Sequence, residues 1–297
     1  MKKWLIVGVV VVIVLVIIFS YYKAKNNAKE RLKKYTDRTK VVETSYGKIT
    51  YIDEGKGEVI LSVHGICGGY DQAYDSVSDK VNKYRIIAPA RFGYEGSDMP
   101  QDATIEMQVE AFVQLLDALE IDKTYILATS AGSATAIKFA MMYPDRVKGL
   151  LLYCSGYPST QLPEKEITYA GPPAAIVNDF VMWFFSPLFG PLMGMDRSTI
   201  EVIMPLKDKK AGIVFDAKVS NTDMYNHPDK YDMTTLQVPV LCFHAKDDKM
   251  ADYETAWYWG QRIPDCRFVS FETGGHLMEG NTTIIEKEFD TFVLKTK

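Results

Sequence analysis

Residues 124–136 read TYILATSAGSATA. Thr124–Thr129 is an apolar, strand-like run that leads straight into Ser130, and small residues from Ala131 onward open a helix. A serine on so sharp a strand-to-helix turn is forced into strained dihedrals and projects above the sheet as a nucleophile. Its neighbours two positions away must be small, because strand and helix pass close together there. Ala128 and Gly132 meet that need, the first being one methyl larger than the more usual glycine. The plainer alternative is a serine that caps an ordinary helix, and the flanking sequence has to decide between the two.

Upstream, Val59–Val63 is a continuous apolar run, the mark of a strand buried on both faces. It ends in His64-Gly65-Ile66-Cys67-Gly68-Gly69. A glycine-rich loop leaves backbone N–H groups free to point at an oxyanion. The expected donors are the amides of Ile66 and Ala131, with Cys67 as a neighbour that can contribute and His64 as a buttress of the loop. Tyr84–Ala88 and Gly149–Tyr153 are further strands, and Val41–Thr44 pairs antiparallel with Lys48–Ile52 around Tyr46-Gly47. Ile105–Leu119 shows helical spacing through Val109, Phe112, Val113, Leu116 and Leu119. Ala131–Tyr143 is a second helix, stopped by Pro144. After residue 233 the alternation resumes with strand Val238–Phe243, helix Tyr253–Gln261, strand Arg267–Phe271 and a closing helix over Thr283–Val293. Strands alternating with helices predict an α/β fold, a mostly parallel sheet covered on both faces. Residues 158–233 break the rhythm, with six prolines before residue 200 and the aromatic, Met-rich stretch FVMWFFSPLFGPLMGM over 180–195. They read as a helical insertion into a core made of 41–157 and 234–297.

A general base has to come from four histidines. His64 belongs to the loop, His227 lies in the irregular insert, and His244 ends a core strand, where a packed neutral imidazole fits. His276 follows the last strand behind Gly274-Gly275, which lets the loop swing an imidazole back over the sheet. An ordinary pKa near 6.5 suits it to take the serine proton and return it. The orienting acid is Asp247 or Asp248, directly after the strand that ends at His244. The loop after Gly149–Tyr153 offers no acid.

The charge pattern narrows the partners. Residues 1–40 carry +8 and residues 41–297 carry −12. An acidic body does not suit nucleic acid, whose binding rests on neutralised phosphates; a basic arm beside a hydrophobic segment points to lipid headgroups. Cys67, Cys154, Cys242 and Cys266 are widely spaced with no CxxC pair, which argues for free thiols and against a metal site. Leu5–Phe19 is an unbroken apolar run, and the 19 residues from Trp4 to Tyr22 span roughly 28 Å as a helix, close to the hydrocarbon thickness of a bilayer. Trp4, Tyr21 and Tyr22 fit interfacial anchors. A cleaved signal peptide would have a shorter apolar core and a small-residue cleavage site, where this chain has Ser20-Tyr21-Tyr22-Lys23. Residues 1–22 are therefore expected to form a single-pass membrane anchor and 23–40 a basic linker. Counting lysines favours a cytoplasmic body, while a short tail with two lysines is also how many exporting signal anchors begin. No oligomeric state follows from the sequence.

Along residues 45–297 the chain resembles the α/β-hydrolase superfamily. The resemblance is carried by His64-Gly65, the stretch Ala88–Ser97, the elbow around Ser130, Tyr143-Pro144-Asp145-Arg146-Val147, Val238-Pro239-Val240 and Gly274-Gly275-His276. It implies a helical lid at 158–233 and acyl or ester hydrolysis without a cofactor. It also implies a triad of Ser130, His276 and Asp248, the last chosen over Asp247 by alignment with the family's acid position. Arg91 departs from the pattern, standing where Asp is commoner. A serine rather than an aspartate at position 130 argues against the dehalogenase and epoxide-hydrolase branches. The substrate class expected first is a small-molecule or lipid carboxylic ester, with Trp183, Phe184, Phe185, Phe189, Met193 and Met195 meeting an apolar acyl group or else merely seating the lid. An iminopeptidase or amidase, with Glu164, Glu166 and Asp179 meeting a substrate amine, is the first alternative. A non-catalytic, membrane-tethered binding protein on a hydrolase scaffold is the second.

Overall fold

A computed structural model of the chain describes residues 2–296. Eight strands form one sheet in the order β1-β2-β4-β3-β5-β6-β7-β8. They are β1 (Thr39–Thr44), β2 (Gly47–Glu54), β3 (Glu58–Val63), β4 (Tyr84–Pro89), β5 (Thr124–Thr129), β6 (Val147–Tyr153), β7 (Val240–Ala245) and β8 (Cys266–Phe271). The β1/β2 and β2/β4 pairs are antiparallel and every other pair is parallel. All six residues of β5 are buried. Because side chains alternate across a strand, Tyr125 and Leu127 feed the core on one face of the sheet, and Ile126 and Ala128 feed the core on the other.

Helices α3 (Ile105–Ala118), α4 (Ser133–Met142) and α10 (Tyr253–Gly260) supply apolar residues to the second core, among them Phe112, Phe139 and Trp259. The first core takes residues from α2 (Tyr70–Asp75) and α11 (Thr282–Lys295). Between β6 and β7 the insert folds as short helices, α5 (Asp179–Phe185), α6 (Phe189–Met193), α7 (Thr199–Ile203), α8 (Lys210–Phe215) and α9 (Asn221–Asn226).

The apolar run and the basic stretch behind it are one helix, α1 (Lys2–Thr36). Residues 23–36, read from the sequence as part of a linker, contain no Gly or Pro and consist largely of strong helix formers. Ala24, Ala28, Leu32 and Tyr35 fall on one helical face and pack on the first core. Polar bonds reinforce that seat. Arg31 donates to Asp71 and to Asp75 at 2.5 Å each, and the Tyr35 hydroxyl donates to Asp75 at 2.6 Å. The apolar first half is different: no residue of its 18-residue window, mean hydropathy 3.0, is buried by the rest of the chain, with Ile17 and Tyr21 near its end packing partly on the core.

Candidate active site

Ser130 stands between β5 and α4 in a tight turn over Ser130–Gly132, with φ at 51°. A non-glycine residue in that region is strained and persists only where its surroundings enforce it. They do so here. A Cβ at Gly132 would lie 2.6 Å from the backbone oxygens of Val63 and His64, so the turn is wedged against the end of β3. One built on Gly65 would lie 3.1 Å from the Ser130 Cβ, which shows how closely the glycine loop passes the serine.

His276 reaches Ser130 from the loop after β8. Its Nε2 lies 3.0 Å from Ser130 Oγ, and its Nδ1 lies 2.9 Å and 3.0 Å from the two carboxylate oxygens of Asp248. Of the two candidate acids, then, Asp248 is the one at the imidazole. Asp247 does something else: its carboxylate accepts from the amides of Gly275 at 2.9 Å and Gly274 at 3.3 Å, pinning the histidine loop. That loop needs its glycines. Gly275 has φ +60°, and a Cβ there would come 2.1 Å from the Gly194 carbonyl oxygen.

The sequence did not anticipate a second imidazole on Asp248. His244 is buried, with Nε2 3.1 Å from the Ala251 carbonyl and 3.3 Å from Asp248 Oδ2. Asp248 Oδ1 also accepts from the amides of Met250 at 2.8 Å and Ala251 at 3.1 Å. Burial alone would raise the Asp248 pKa. The bonds from His244 and His276 outweigh it and hold the carboxyl well below the usual range, so Asp248 is ionised and can only accept. His276 must then carry its proton on Nδ1, which leaves the Nε2 lone pair facing Ser130.

His64 is enclosed and braces its loop. Its Nδ1–H donates to the Gly65 carbonyl at 2.8 Å and its Nε2 accepts from the Arg91 amide at 3.0 Å. Burial, aided by the Arg91 charge, pushes its pKa well down and keeps it neutral. Among the described residues, the amides of Ile66 and Ala131 have no acceptor within the chain. Both belong to the turns that flank Ser130. Burial pushes the Cys67 thiol up to about 12, so it does not compete as a nucleophile. All four cysteines are free, and His227 is exposed.

Two buried charge pairs fasten the insert to this region, and no local pattern in the sequence marks them. Arg91, the departure from the family pattern, is fully buried and grips Asp216 through both terminal nitrogens, one at 2.6 Å; the Tyr94 hydroxyl donates to the same carboxylate at 2.5 Å. The fully buried Lys209 donates to the Cys67 and Val202 carbonyls at 3.1 Å each and lies 3.2 Å from Glu95. It thus ties the insert to the glycine loop at Cys67, whose φ is 61°. Burial, partly offset by Lys209, pushes Glu95 up to about 7.

The apolar stripe of the insert divides. Met182, Trp183, Phe189 and Met195 are buried, whereas Phe184 and Phe185 are exposed. Asp179 accepts from the Leu206 amide at 2.8 Å and faces Lys25 at 3.5 Å, while Glu164 and Glu166 are exposed.

Comparison with known proteins agrees with this architecture. A family model described as the alpha/beta hydrolase fold matches residues 58–278. The uncharacterized hydrolase YcgS of Bacillus subtilis (strain 168) is 26% identical over 269 residues, covering 81% of this chain and 92% of its own. A thermophilic esterase from Thermogutta terrifontis superposes with a TM-score of 0.69 at 22% identity, over 87% of this chain and 98% of its own. A membrane phospholipase A described as a bacterial virulence factor superposes with a TM-score of 0.70 at 15% identity, over 100% of this chain and 99% of its own. At such identities the two structures share the fold. With the family model spanning most of the sheet and the loops between its strands, the chain belongs to the α/β-hydrolase superfamily and is a hydrolase of that type.

Proposed function

We propose that this hydrolase is a membrane-anchored serine esterase that cleaves a carboxylic ester through an acyl-enzyme. The observation that carries the proposal is the position of His276, within hydrogen-bond distance of Ser130 Oγ on one nitrogen and of Asp248 on the other. In this scheme His276 Nε2 takes the Ser130 proton as Oγ attacks the ester carbonyl. Asp248 keeps the ring in the right tautomer and stabilises the imidazolium that forms. Negative charge gathers on the former carbonyl oxygen, to which the otherwise unbonded Ile66 and Ala131 amides would donate. Collapse breaks the ester C–O bond, and the departing alkoxide takes the proton from Nε2. Water then repeats the sequence against the acyl-enzyme and releases the acid.

The apolar half of α1 would hold the protein in the bilayer, and residues 158–233 would cover the site as a lid. Support for the anchor is its length together with the absence of any buried residue in its apolar window, which touches the core only at its end, through Ile17 and Tyr21; a helix of that composition is stable when lipid covers it. The acids that would have favoured an amine-bearing substrate are engaged elsewhere or point to solvent, so the ester remains the better-supported substrate. A chain-length series of p-nitrophenyl esters tests this. Hydrolysis that is lost in Ser130→Ala and rises from acetyl toward longer acyl chains agrees with it. No hydrolysis of any ester by folded protein refutes the ester, and a preference for acetyl refutes the apolar acyl group.

A further inference from the structure

The segment holding α5 and α6 is apolar on two sides. Its inner residues Met182, Trp183 and Phe189 are buried. Its outer ones stand in solvent: Phe184 is 51% exposed, Phe185 47% and Leu192 63%, with Phe180 and Leu188 beside them also exposed. Seating the segment on the core explains the first set only. A contiguous exposed apolar patch of this kind marks a contact surface.

The position of the patch identifies the partner. It begins where the apolar run of α1 ends, with the Tyr21 ring 5.2 Å from Phe180 and 5.5 Å from Trp183. One turn further along α1, Lys25 pairs with Asp179 at the start of α5. Within Leu5–Phe19 no residue is buried by the rest of the chain, and only Ile17 near its end is partly covered. A hydrocarbon layer of about 30 Å that covers these residues ends within a turn or so of Tyr21, and α5, which Tyr21 touches, lies at that level with α6 following it in the chain. Aromatic side chains favour this zone. Beyond it, beginning at headgroup height with Lys25 and running on along α1, a cleft of about 440 Å³ between α1 and the insert is lined by Lys25, Lys29, Lys33 and Lys207, together with Asp179 and Asp208. That excess of positive charge suits an anionic leaflet. The same segment is bonded to the candidate active site: the His276 amide donates to the Gly194 carbonyl at 3.3 Å, and Lys249 donates to the Pro191 carbonyl at 2.8 Å.

We propose that the exposed face of α5–α6 is seated in the lipid interface beside the end of the α1 span, and that the site takes an amphiphilic ester from the bilayer. The proposal rests on the membrane-anchored esterase reading above, and its test separates the two. Nitroxide labels are placed singly at Leu192→Cys, Val12→Cys and Leu294→Cys in the full chain. The background is Cys266→Ser, since Cys67, Cys154 and Cys242 are buried. Val12 lies in the apolar run. Leu294 is an equally apolar control at 70% exposure, next to Val293 at the far end of the sheet, where Tyr125 at the start of β5 meets its carbonyl. In phosphatidylcholine–phosphatidylglycerol vesicles, collision with oxygen should exceed collision with a water-soluble nickel chelate at 12 and at 192, with the reverse at 294. A lipid signal at 12 with a water signal at 192 overturns this proposal alone. A water signal at 12 overturns the anchor and this proposal together. The double variant Phe184→Ser/Leu192→Ser should also lower turnover of a long-chain ester presented in vesicles by at least about tenfold relative to a water-soluble ester in the same sample. An unchanged ratio would overturn uptake from the bilayer.

Discussion

Replacing Asp248 by asparagine alters one atom, and the surrounding bonds dictate where the new amide nitrogen goes. Oδ1 accepts from the amides of Met250 and Ala251, so an asparagine must keep its oxygen there. Its NH₂ then takes the place of Oδ2, facing His276 Nδ1 at 2.9 Å and His244 Nε2 at 3.3 Å. A donor at that nearer point opposes the Nδ1–H tautomer, for which only Oδ1 at 3.0 Å is left as acceptor, and favours the His276 tautomer with the proton on Nε2. That tautomer has no lone pair for the Ser130 hydroxyl. Ring position and fold are kept while the base is disabled. In serine triads such a change lowers kcat about 10⁴-fold, or about 5 kcal/mol at 1.36 kcal/mol per decade. The assay is ester hydrolysis by purified Asp248→Asn, with circular dichroism as the check on folding. A folded variant that loses less than about tenfold in kcat would refute the account of Asp248.

Further predictions concern the buried charges. Asp216→Ala strands Arg91, and should destabilise the protein by about 3–5 kcal/mol, seen as a drop in Tm on the order of 10 °C in detergent. The Arg91→Met/Asp216→Leu pair should recover most of that loss, and a double variant no more stable than the single one would contradict it. Glu95 has a pKa of about 7 when folded against about 4.3 unfolded, so between those values the native state binds the extra proton and stability falls as pH rises. The stability of the wild type relative to Glu95→Gln should therefore decline from pH ~4.3 to ~7 and level off above, measured by urea unfolding across pH. A difference that is flat in pH would refute it.

Much of this was legible along the chain. The turn at Ser130 could be read because its requirements are local: an apolar strand, a small residue on each side and a helix start all fall within a dozen positions. The order of loop, serine, acid and histidine gave the rest of the candidate site. Choosing between Asp247 and Asp248 needed side-chain direction, which neither spacing nor composition reports; resemblance to the family selected the residue that lies at the ring. His244 was read as a packed strand residue because nothing in the sequence shows that the chain turns back to put Asp248 against it. Arg91 looked like an irregularity, since its partner Asp216 is 125 positions away in a segment without period. Residues 23–36 were read as a linker because their charge masked the apolar face of Ala24, Ala28, Leu32 and Tyr35.

The central claim is that Ser130 is an activated nucleophile, and a fluorophosphonate tests it most directly. Incubated with the full-length folded protein and followed by peptide mass spectrometry, the reagent should add one phosphonyl group to the peptide containing Ser130. The adduct should vanish in Ser130→Ala and form far more slowly in His276→Ala. Folded protein left unlabelled at Ser130, or labelled on another residue at an equal rate, would contradict the account.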